Sequence, residues 1–187
     1  MKVRETELSG VLIVDPAVFR DERGFFTETY HLSRYRDCGI EMSFVQDNLS
    51  FSRKGTLRGL HYQHPHGQDK LVQVLRGEVF DVVVDIRPDS PTFGRWVSVL
   101  LNGENMRQVL VPRGYAHGFY VLSETALFTY KCSDFYHPET EGGIIWNDPD
   151  LGIDWPVTAP LLSEKDRAFP RLKDVPKNRL PSWESVS

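Results

Sequence analysis

Turn-forming residues recur about every eight to twelve positions through most of this chain, and short runs of alternating apolar residues lie between them. Strand periodicity is clear in the runs 79–86, 94–101 and 108–112. Helical periodicity is confined to Ser33–Gly39 and to the segment after Ser163. The pattern predicts an all-β fold, an antiparallel meander or jelly-roll β-barrel with a few short peripheral helices.

Three short turns separate consecutive predicted strands. They contain Arg76-Gly77, Asn102-Gly103 and Ser123–Thr125. Glycine and asparagine tolerate the positive φ angles that tight hairpins require. We therefore expect each turn to close a hairpin of two paired strands.

The chain has the size and composition of one domain. It contains 187 residues, of which 40% are hydrophobic and 12% aromatic, enough to bury a sizeable core. No internal repeat or linker divides it. Prolines become frequent after Trp155, so we expect a single domain over residues 1–187 whose part after about residue 155 forms an irregular wrap.

Charge and cysteine content exclude several classes of protein. The formal net charge is −4, and no basic block is present that could follow a phosphate backbone, so nucleic acid is not expected as a partner. Cys38 and Cys132 lie far apart, which disfavours a disulfide framework. The charged start Met1–Leu8 and the lack of a long apolar run predict a cytoplasmic protein that is neither exported nor membrane-spanning.

Several side chains suited to proton transfer fall on predicted strands. His61 can take a proton and Tyr130 can return one, while Lys70 can hold the negative charge that develops between the two events. Arg58 would need an anionic partner such as a phosphate if it lies inside a barrel. If these side chains share one interior, they suit chemistry at carbon acids.

Each of these residues also has an ordinary structural interpretation. His61 and Tyr130 are typical of hydrogen-bonded side chains in a core, and Arg58 is typical of a surface ion pair. The sequence Ser163-Glu-Lys-Asp166 matches a helix-capping pattern. The functional alternative for Asp166 is that it orients His61 and stabilises its protonated form.

A metal site is the main competing hypothesis. His64 and His66 have the spacing of metal ligands in small barrels, and His117 could complete a three-imidazole site. Lys70, however, stands near the position expected for a carboxylate ligand and would repel a divalent ion. Because proline and glycine surround His64 and His66, we favour a turn-like loop without metal.

Six ordered motifs resemble the dTDP-4-dehydrorhamnose 3,5-epimerase family, whose members are cupin-type β-barrel enzymes, over nearly the whole chain. The motifs are Asp21-Glu-Arg23-Gly-Phe-Phe26-Thr-Glu28, Val45-Gln46-Asp-Asn48, Leu57-Arg58-Gly-Leu-His61-Tyr-Gln63, Pro112-Arg-Gly-Tyr-Ala-His117-Gly-Phe119, Gly142-Gly-Ile-Ile-Trp-Asn-Asp-Pro149 and Leu162-Ser-Glu-Lys-Asp166. Any one motif alone would be weak evidence. Together they make a chance match untenable.

The resemblance implies a site without metal or other cofactor and gives each candidate residue a role. His61 would be the proton acceptor, supported by Asp166, Tyr130 would be the proton donor, and Lys70 would stabilise an enolate oxygen. The residues implied to contact sugar or diphosphate are Gln46, Asn48, Arg58, His117, Glu141 and Lys165. Tyr136 would stack on thymine.

The resemblance further implies a homodimer. Arg23, Phe26 and Glu28 belong to a strand region that family members lend to the nucleotide site of the neighbouring subunit. We therefore expect the N-terminal strands to be exchanged between two copies of the chain.

The implied activity is epimerisation of dTDP-4-dehydro-6-deoxy-D-glucose at C3 and C5, giving dTDP-4-dehydro-L-rhamnose in dTDP-L-rhamnose biosynthesis. Three alternatives stay open. They are a dTDP-sugar epimerase acting at a single carbon or a related ketoisomerase, a metal-dependent cupin enzyme, and a sugar-nucleotide binding module without catalysis.

Overall fold

The computed structural model describes residues 1–183 and consists mainly of β-strands. The strands are β1 (Lys2–Glu5), β2 (Leu12–Asp15), β3 (Val18–Asp21), β4 (Gly24–Thr27), β5 (Gln46–Arg53), β6 (Leu57–Gln63), β7 (Lys70–Arg76), β8 (Glu78–Asp85), β9 (Trp96–Asn102), β10 (Gln108–Val111), β11 (Tyr115–Val121), β12 (Thr125–Cys132) and β13 (Glu141–Gly143). The α-helices are α1 (Leu32–Arg36) and α2 (Glu164–Arg167), and 3₁₀ turns occupy Pro138–Thr140, Leu172–Asp174 and Lys177–Arg179.

The strands form two antiparallel sheets that face each other. One has six strands in the order β1-β2-β10-β7-β12-β5, and the other has five in the order β13-β6-β11-β8-β9. Strands β3 and β4 pair separately as a short arm. The expected all-β jelly-roll class is confirmed, and the barrel is built from two sheets rather than from one continuous closed sheet.

The three expected hairpins are wrong, because each turn carries the chain from one sheet to the other. Strands β7, β10 and β12 belong to the six-stranded sheet, whereas β8, β9 and β11 belong to the five-stranded sheet. The turn at Arg76-Gly77 still needs its glycine: Gly77 has φ +84°, and a Cβ there would lie 2.0 Å from the Thr125 carbonyl oxygen. Asn102 accepts hydrogen bonds from the backbone of Glu104 and Asn105, which reverses the chain without pairing the flanking strands.

Apolar side chains fill one end of the space between the sheets. They include Val72, Val79, Val109 and Phe128, all almost fully buried. The outer face of the five-stranded sheet is covered by the segment after residue 150, which contributes Leu172 among others. The outer face of the six-stranded sheet is partly covered by α1 and its flanking residues.

Both helices are short and capped at their N-termini. Helix α1 spans Leu32–Arg36, shorter than the expected 33–39, and the His31 side chain accepts a hydrogen bond from the Arg34 backbone. Helix α2 begins after Ser163, as the capping pattern predicts. No helix within residues 1–183 is long and apolar enough to cross a membrane.

Candidate active site

A cavity of about 350 Å³ lies at the polar end of the space between the two sheets. The stacked rings of Phe119 and Phe128, whose centroids are 4.2 Å apart, belong both to its wall and to the apolar core. Ten of the residues expected from the sequence line the cavity: Gln46, Asn48, Arg58, His61, Lys70, His117, Tyr130, Tyr136, Glu141 and Lys165.

Arg58 and His61 both reach the cavity because β6 is irregular. Residues three apart on a regular strand point to opposite faces. The register of β6 against β11 shifts between the pairs His61–His117 and Arg58–Phe119, and Gly59 lies within the shift. A Cβ on Gly59, whose φ is +132°, would come within 2.6 Å of the backbone of β11, so only glycine permits this approach.

His61 is paired with a buried carboxylate. Its Nε2 lies 2.5 Å from Oδ1 of Asp166, and the Phe169 ring packs edge-on against the imidazole with centroids 5.6 Å apart. Burial would raise the pKa of the Asp166 carboxyl, but its hydrogen bond and charge interaction with His61 hold that pKa below the ordinary value. Because Nε2 is directed at Asp166, Nδ1 is the nitrogen left to act on a substrate.

The two interpretations of Asp166 are compatible, because different atoms perform them. Its backbone N–H donates to Ser163 Oγ at 3.1 Å and so takes part in the helix cap. Its carboxylate points to His61 instead. The four-residue helix α2 packs on β6 and thereby delivers the carboxylate to the imidazole.

Lys70 and Tyr130 lie on β7 and β12, in the sheet opposite His61. The Lys70 ammonium is 6.0 Å from the centre of the Tyr130 ring, and within residues 1–183 it makes no hydrogen bond or ion pair. Burial lowers the pKa of Lys70 and raises that of Tyr130. The cavity thus places a lysine amine without a fixed anionic partner among the described residues beside a tyrosine hydroxyl whose raised pKa favours its protonated form.

Polar side chains of β5 form a row along one edge of the cavity. Gln46 donates to Asn48 Oδ1 at 3.1 Å. Arg58 Nε donates to Ser52 Oγ at 3.0 Å, which leaves other guanidinium N–H groups for an anionic ligand. This edge suits recognition of phosphate or sugar oxygens.

Tyr136, Glu141 and Lys165 are linked at the mouth of the cavity. The Tyr136 hydroxyl donates to Glu141 at 2.9 Å, and Lys165 Nζ lies 2.9 Å from both Glu141 oxygens. Burial would raise the pKa of Glu141, but the hydrogen bonds from Lys165 and Tyr136 hold it below the ordinary value. The exposed Tyr136 ring is left free to stack on a flat ligand.

A second histidine–aspartate pair lies deeper in the cavity wall. His117 Nε2 is 2.8 Å from Oδ2 of Asp81, which is almost fully buried and whose Oδ1 has no hydrogen-bond partner among the described residues. Sequence reasoning missed Asp81. The available signal was an acidic residue at an inward position of the otherwise apolar run 79–86.

Arg23, Phe26 and Glu28 do not line the cavity of their own chain. Arg23 pairs with Asp21 on the exposed arm, and Glu28 pairs with Arg34. The Phe26 side chain is 69% exposed. A single chain therefore brings together eleven of the fourteen expected residues, counting Asp166 behind His61, and leaves these three apart.

His64 and His66 lie in the loop between β6 and β7, as their proline and glycine neighbours predict. His66 has φ +65° and stacks on His137, with ring centroids 4.4 Å apart. His117 instead pairs with Asp81. Among residues 1–183, no three histidine, cysteine, aspartate or glutamate side chains are grouped as potential metal ligands.

A sequence model of the dTDP-4-dehydrorhamnose 3,5-epimerase family matches residues 5–174. The chain belongs to this family. The dTDP-4-dehydrorhamnose 3,5-epimerase of Pseudomonas aeruginosa is 56% identical over 169 residues, which cover 89% of this chain and 93% of that protein.

Solved structures of the epimerase family agree with the fold. A Legionella pneumophila dTDP-6-deoxy-D-glucose-3,5-epimerase in complex with dTDP-4-keto-L-rhamnose superimposes with a TM-score of 0.95 at 53% identity, covering 97% of this chain and 98% of that one. A 3′-monoepimerase from Streptomyces bikiniensis in complex with dTDP-quinovose has a TM-score of 0.91 at 36% identity, covering 96% and 93%. The expected family, fold class and epimerase class are confirmed.

Proposed function

We propose that this chain epimerises dTDP-4-dehydro-6-deoxy-D-glucose at C3 and C5, giving dTDP-4-dehydro-L-rhamnose for dTDP-L-rhamnose synthesis. One observation carries the proposal: His61 with its carboxylate lies on one sheet, Tyr130 and Lys70 lie on the facing sheet, and all three side chains line one cavity. Within residues 1–183, Lys70 has no ion-pair partner. The family membership supports the same substrate.

The 4-keto group makes the hydrogens on C3 and C5 acidic. Removal of either proton gives an enolate whose negative charge rests on the same oxygen, so one cation can serve both steps. Lys70 supplies that cation, and a single well-placed donor of this kind contributes roughly 3 to 4 kcal/mol to the transition state. Burial lowers the pKa of Lys70 because it desolvates the ammonium, and an enolate formed beside the ammonium would offset that penalty.

Inversion of a carbon centre requires removal of a proton from one face and delivery to the other. His61 is the proposed acceptor through Nδ1, and Asp166 stabilises the imidazolium that forms. Tyr130, whose raised pKa keeps it protonated, is the proposed donor from the opposite wall. Each such group typically contributes ~10² to 10⁴ in rate.

The mouth and edge of the cavity are proposed to bind the nucleotide. Tyr136 stacks on thymine beside Glu141 and Lys165. The remaining proposed contacts to sugar or diphosphate come from Gln46, Asn48, Arg58 and His117. Binding energy gained there orients the reacting sugar between the two walls.

The experiment that tests the function is incubation with dTDP-4-dehydro-6-deoxy-D-glucose in D₂O, with deuterium at C3 and C5 read by NMR. Incorporation at both carbons with formation of the L-rhamno product is expected. Binding of dTDP without any exchange would instead indicate a sugar-nucleotide binding module.

A single-carbon epimerase is the second candidate, favoured by the likeness to the Streptomyces 3′-monoepimerase. Deuterium at C3 alone would select it. We also propose that the reaction needs no metal, because the Lys70 ammonium already supplies the positive charge beside the enolate oxygen. Activity should survive exhaustive chelation, and a stoichiometric metal whose removal abolishes turnover would contradict the proposal.

We propose that the enzyme is a homodimer whose subunits exchange the β3–β4 arm. The arm exposes Phe19, Phe25 and Phe26, with 64%, 50% and 69% of their surface accessible, which is costly unless a partner covers them. Arg23 and Glu28 lie on or next to this arm.

Subunit complementation tests the exchange. Arg23→Ala and Lys70→Met homodimers should each be impaired. After the two variants are mixed and reassembled, a mixed dimer contains one cavity with an intact Lys70 and an intact arm from its partner. Recovery of activity supports exchange, and absence of recovery in verified mixed dimers contradicts it.

We further propose a cytoplasmic location without nucleic acid or membrane partners. The support is chemical: Cys38 and Cys132 are both free thiols, and the chain carries charges of both signs with a formal net charge of −4. Cell fractionation of the untagged protein tests this location.

A further inference from the structure

The segment that presents Tyr136 has little apolar anchoring. It runs from Asp134 to His137, between β12 and the 3₁₀ turn that precedes β13. The Phe135 and Tyr136 side chains are 61% and 50% exposed, so neither fixes the segment by packing. Its backbone must be held in another way if the Tyr136 ring is to keep one position.

Gln63 holds the backbone on both sides of Tyr136. Its Nε2 donates to the Phe135 carbonyl at 3.4 Å, and its Oε1 accepts from the His137 N–H at 3.1 Å. The same Nε2 donates to the His66 carbonyl at 2.5 Å, which ties in the neighbouring loop. Gln63 is only 8% exposed, so water cannot readily replace these bonds.

Two further glutamines complete the arrangement. Gln46 Oε1 accepts from the Tyr136 N–H at 3.1 Å, and Gln68 Nε2 donates to the Asp134 carbonyl at 2.8 Å. Four consecutive residues are therefore held by the side-chain amides of Gln46 on β5, Gln63 on β6 and Gln68 in the loop before β7. Of these three glutamines, Gln63 is the one that bonds on both sides of the tyrosine.

We propose that Gln63 is a positioning residue for nucleobase recognition: its amide fixes the segment 134–137 so that the Tyr136 ring stands ready for the base. The inference rests on the proposed function, in which Tyr136 stacks on thymine. It extends that function to a residue that is itself not required to touch the base.

The chemistry of the side chain explains why an amide is needed. At one position it donates to two carbonyl oxygens and accepts from one N–H. Methionine has nearly the same length but offers neither strong donor nor strong acceptor. Glutamate keeps the acceptor but places a carboxylate beside two carbonyl oxygens.

The test compares the binding of dTDP with that of inorganic pyrophosphate, which has the diphosphate but no nucleoside. In Gln63→Met, the dissociation constant of dTDP should rise about tenfold, while that of inorganic pyrophosphate changes by less than about twofold. KM should rise together with the dissociation constant of dTDP, whereas kcat should change much less. Equal loss for both probes, or no loss for dTDP, would overturn the inference.

Gln73→Met is the matched control. Gln73 is a glutamine of β7 that is 2% exposed and donates to the Met106 carbonyl at 2.7 Å, outside the cavity that holds Tyr136. Its replacement removes a comparable buried hydrogen bond. It should leave dTDP affinity unchanged, whatever it does to the melting temperature.

A double-mutant cycle separates this inference from the proposed function. Tyr136→Ala alone should weaken dTDP binding, and failure of that result would contradict the stacking role itself. In the Tyr136→Ala background, Gln63→Met should have almost no further effect on dTDP affinity, because it acts through the missing ring. Additive losses would overturn the positioning role.

A second variant covers the case in which Gln63→Met does not fold. Gln63→Glu retains the side-chain length and the acceptor for His137, and it should weaken dTDP binding in the same selective manner. Unchanged selectivity between dTDP and pyrophosphate in folded Gln63→Glu would count against the inference.

Discussion

The cavity contains two histidine–aspartate pairs that look alike in composition and differ in placement. His61 and His117 are direct partners in the register of β6 and β11. The His61 side chain is 26% exposed and that of its partner Asp166 is 4% exposed. The His117 and Asp81 side chains are 9% and 1% exposed. The first pair is open to a ligand, and the second is nearly closed.

The two carboxylates also reach their histidines by different routes. Asp166 comes from α2, outside the sheets, and its backbone is secured by Ser163. Asp81 comes from β8, within the sandwich, where one of its oxygens has no partner among residues 1–183. We infer that the same two side chains can serve proton transfer where the imidazole is accessible, as proposed for His61, and stabilise the cavity wall where the imidazole is nearly closed, as at His117.

The largest expected effect separates the two histidines. His61→Ala should abolish deuterium exchange at both carbons and reduce turnover by roughly 10⁴-fold, because the proposed acceptor is removed. His117→Ala should weaken substrate binding but retain exchange. Both variants are to be compared by NMR in D₂O at saturating substrate. Equal loss of exchange in the two variants would show that the two histidine–aspartate pairs do not differ in their role in proton transfer.

The next largest effect separates the proposed orientation of His61 by Asp166 from the capping of helix α2 by Ser163. Asp166→Asn removes the charge that stabilises the His61 imidazolium and should lower turnover by roughly 10² to 10³-fold, with dTDP affinity retained. Ser163→Ala removes the helix cap and should cost ~1 kcal/mol of unfolding free energy, with turnover changed less than about twofold. Turnover, dTDP affinity and thermal melting are measured on one preparation of each variant. Unchanged turnover in Asp166→Asn would show that the Asp166 carboxylate does not assist His61 in catalysis.

For the buried pair of His117 and Asp81, we expect a loss of stability without a loss of proton exchange. Asp81→Leu leaves His117 without its partner and should lower the free energy of unfolding by ~1 to 3 kcal/mol, measured by urea denaturation. Exchange at C3 and C5 should persist in the folded variant. If exchange is lost while the fold and dTDP binding are retained, Asp81 takes part in proton transfer, and its role is not limited to stabilising the cavity wall.

The smallest expected effect is on thermal stability at acidic pH. Because the folded pKa of Asp166 is held below its ordinary value, its carboxylate stabilises the native state above that ordinary value, and the stabilisation is lost as the pH falls through the folded pKa. Melting curves of the wild type and Asp166→Asn should therefore differ at neutral pH and approach each other in acid. A constant difference across the acid range would argue against the charge interaction with His61.

Local sequence patterns predicted the positions of strands and turns better than they predicted which strands pair with each other. The turns at Gly77 and Asn102 lie where the sequence places them, but a turn reverses the chain equally well within one sheet and between two. Which strand lies beside which is decided by distant residues, such as those that pair β5 with β12. Short-range patterns therefore predicted strands and wrongly predicted hairpins.

The candidate site residues were predicted chiefly from sequence motifs. The alternation of side chains along a regular strand would have placed Arg58 and His61 on opposite faces of β6. Arg58 and His61 share the cavity only through the irregularity at Gly59, which a two-residue period does not predict. Asp81 escaped notice because its run is apolar enough to be interpreted as core. Phe169 was missed as well; it packs on His61 where Gly143 leaves room, since a Cβ there would lie 2.4 Å from the ring.

The passage of the chain between sheets has a consequence for how the molecule folds. Strands that follow one another across the turns at Gly77 and after Asn102 do not pair, whereas β2 pairs with β10 and β5 pairs with β12. The entropy of closing long loops must be lost before such distant contacts form. The consecutive strands β1–β2, β3–β4 and β8–β9 can pair locally, but β5, β7, β10 and β12 find their neighbours only through distant contacts. We therefore expect slow folding in which both walls of the cavity assemble in the same step as the core.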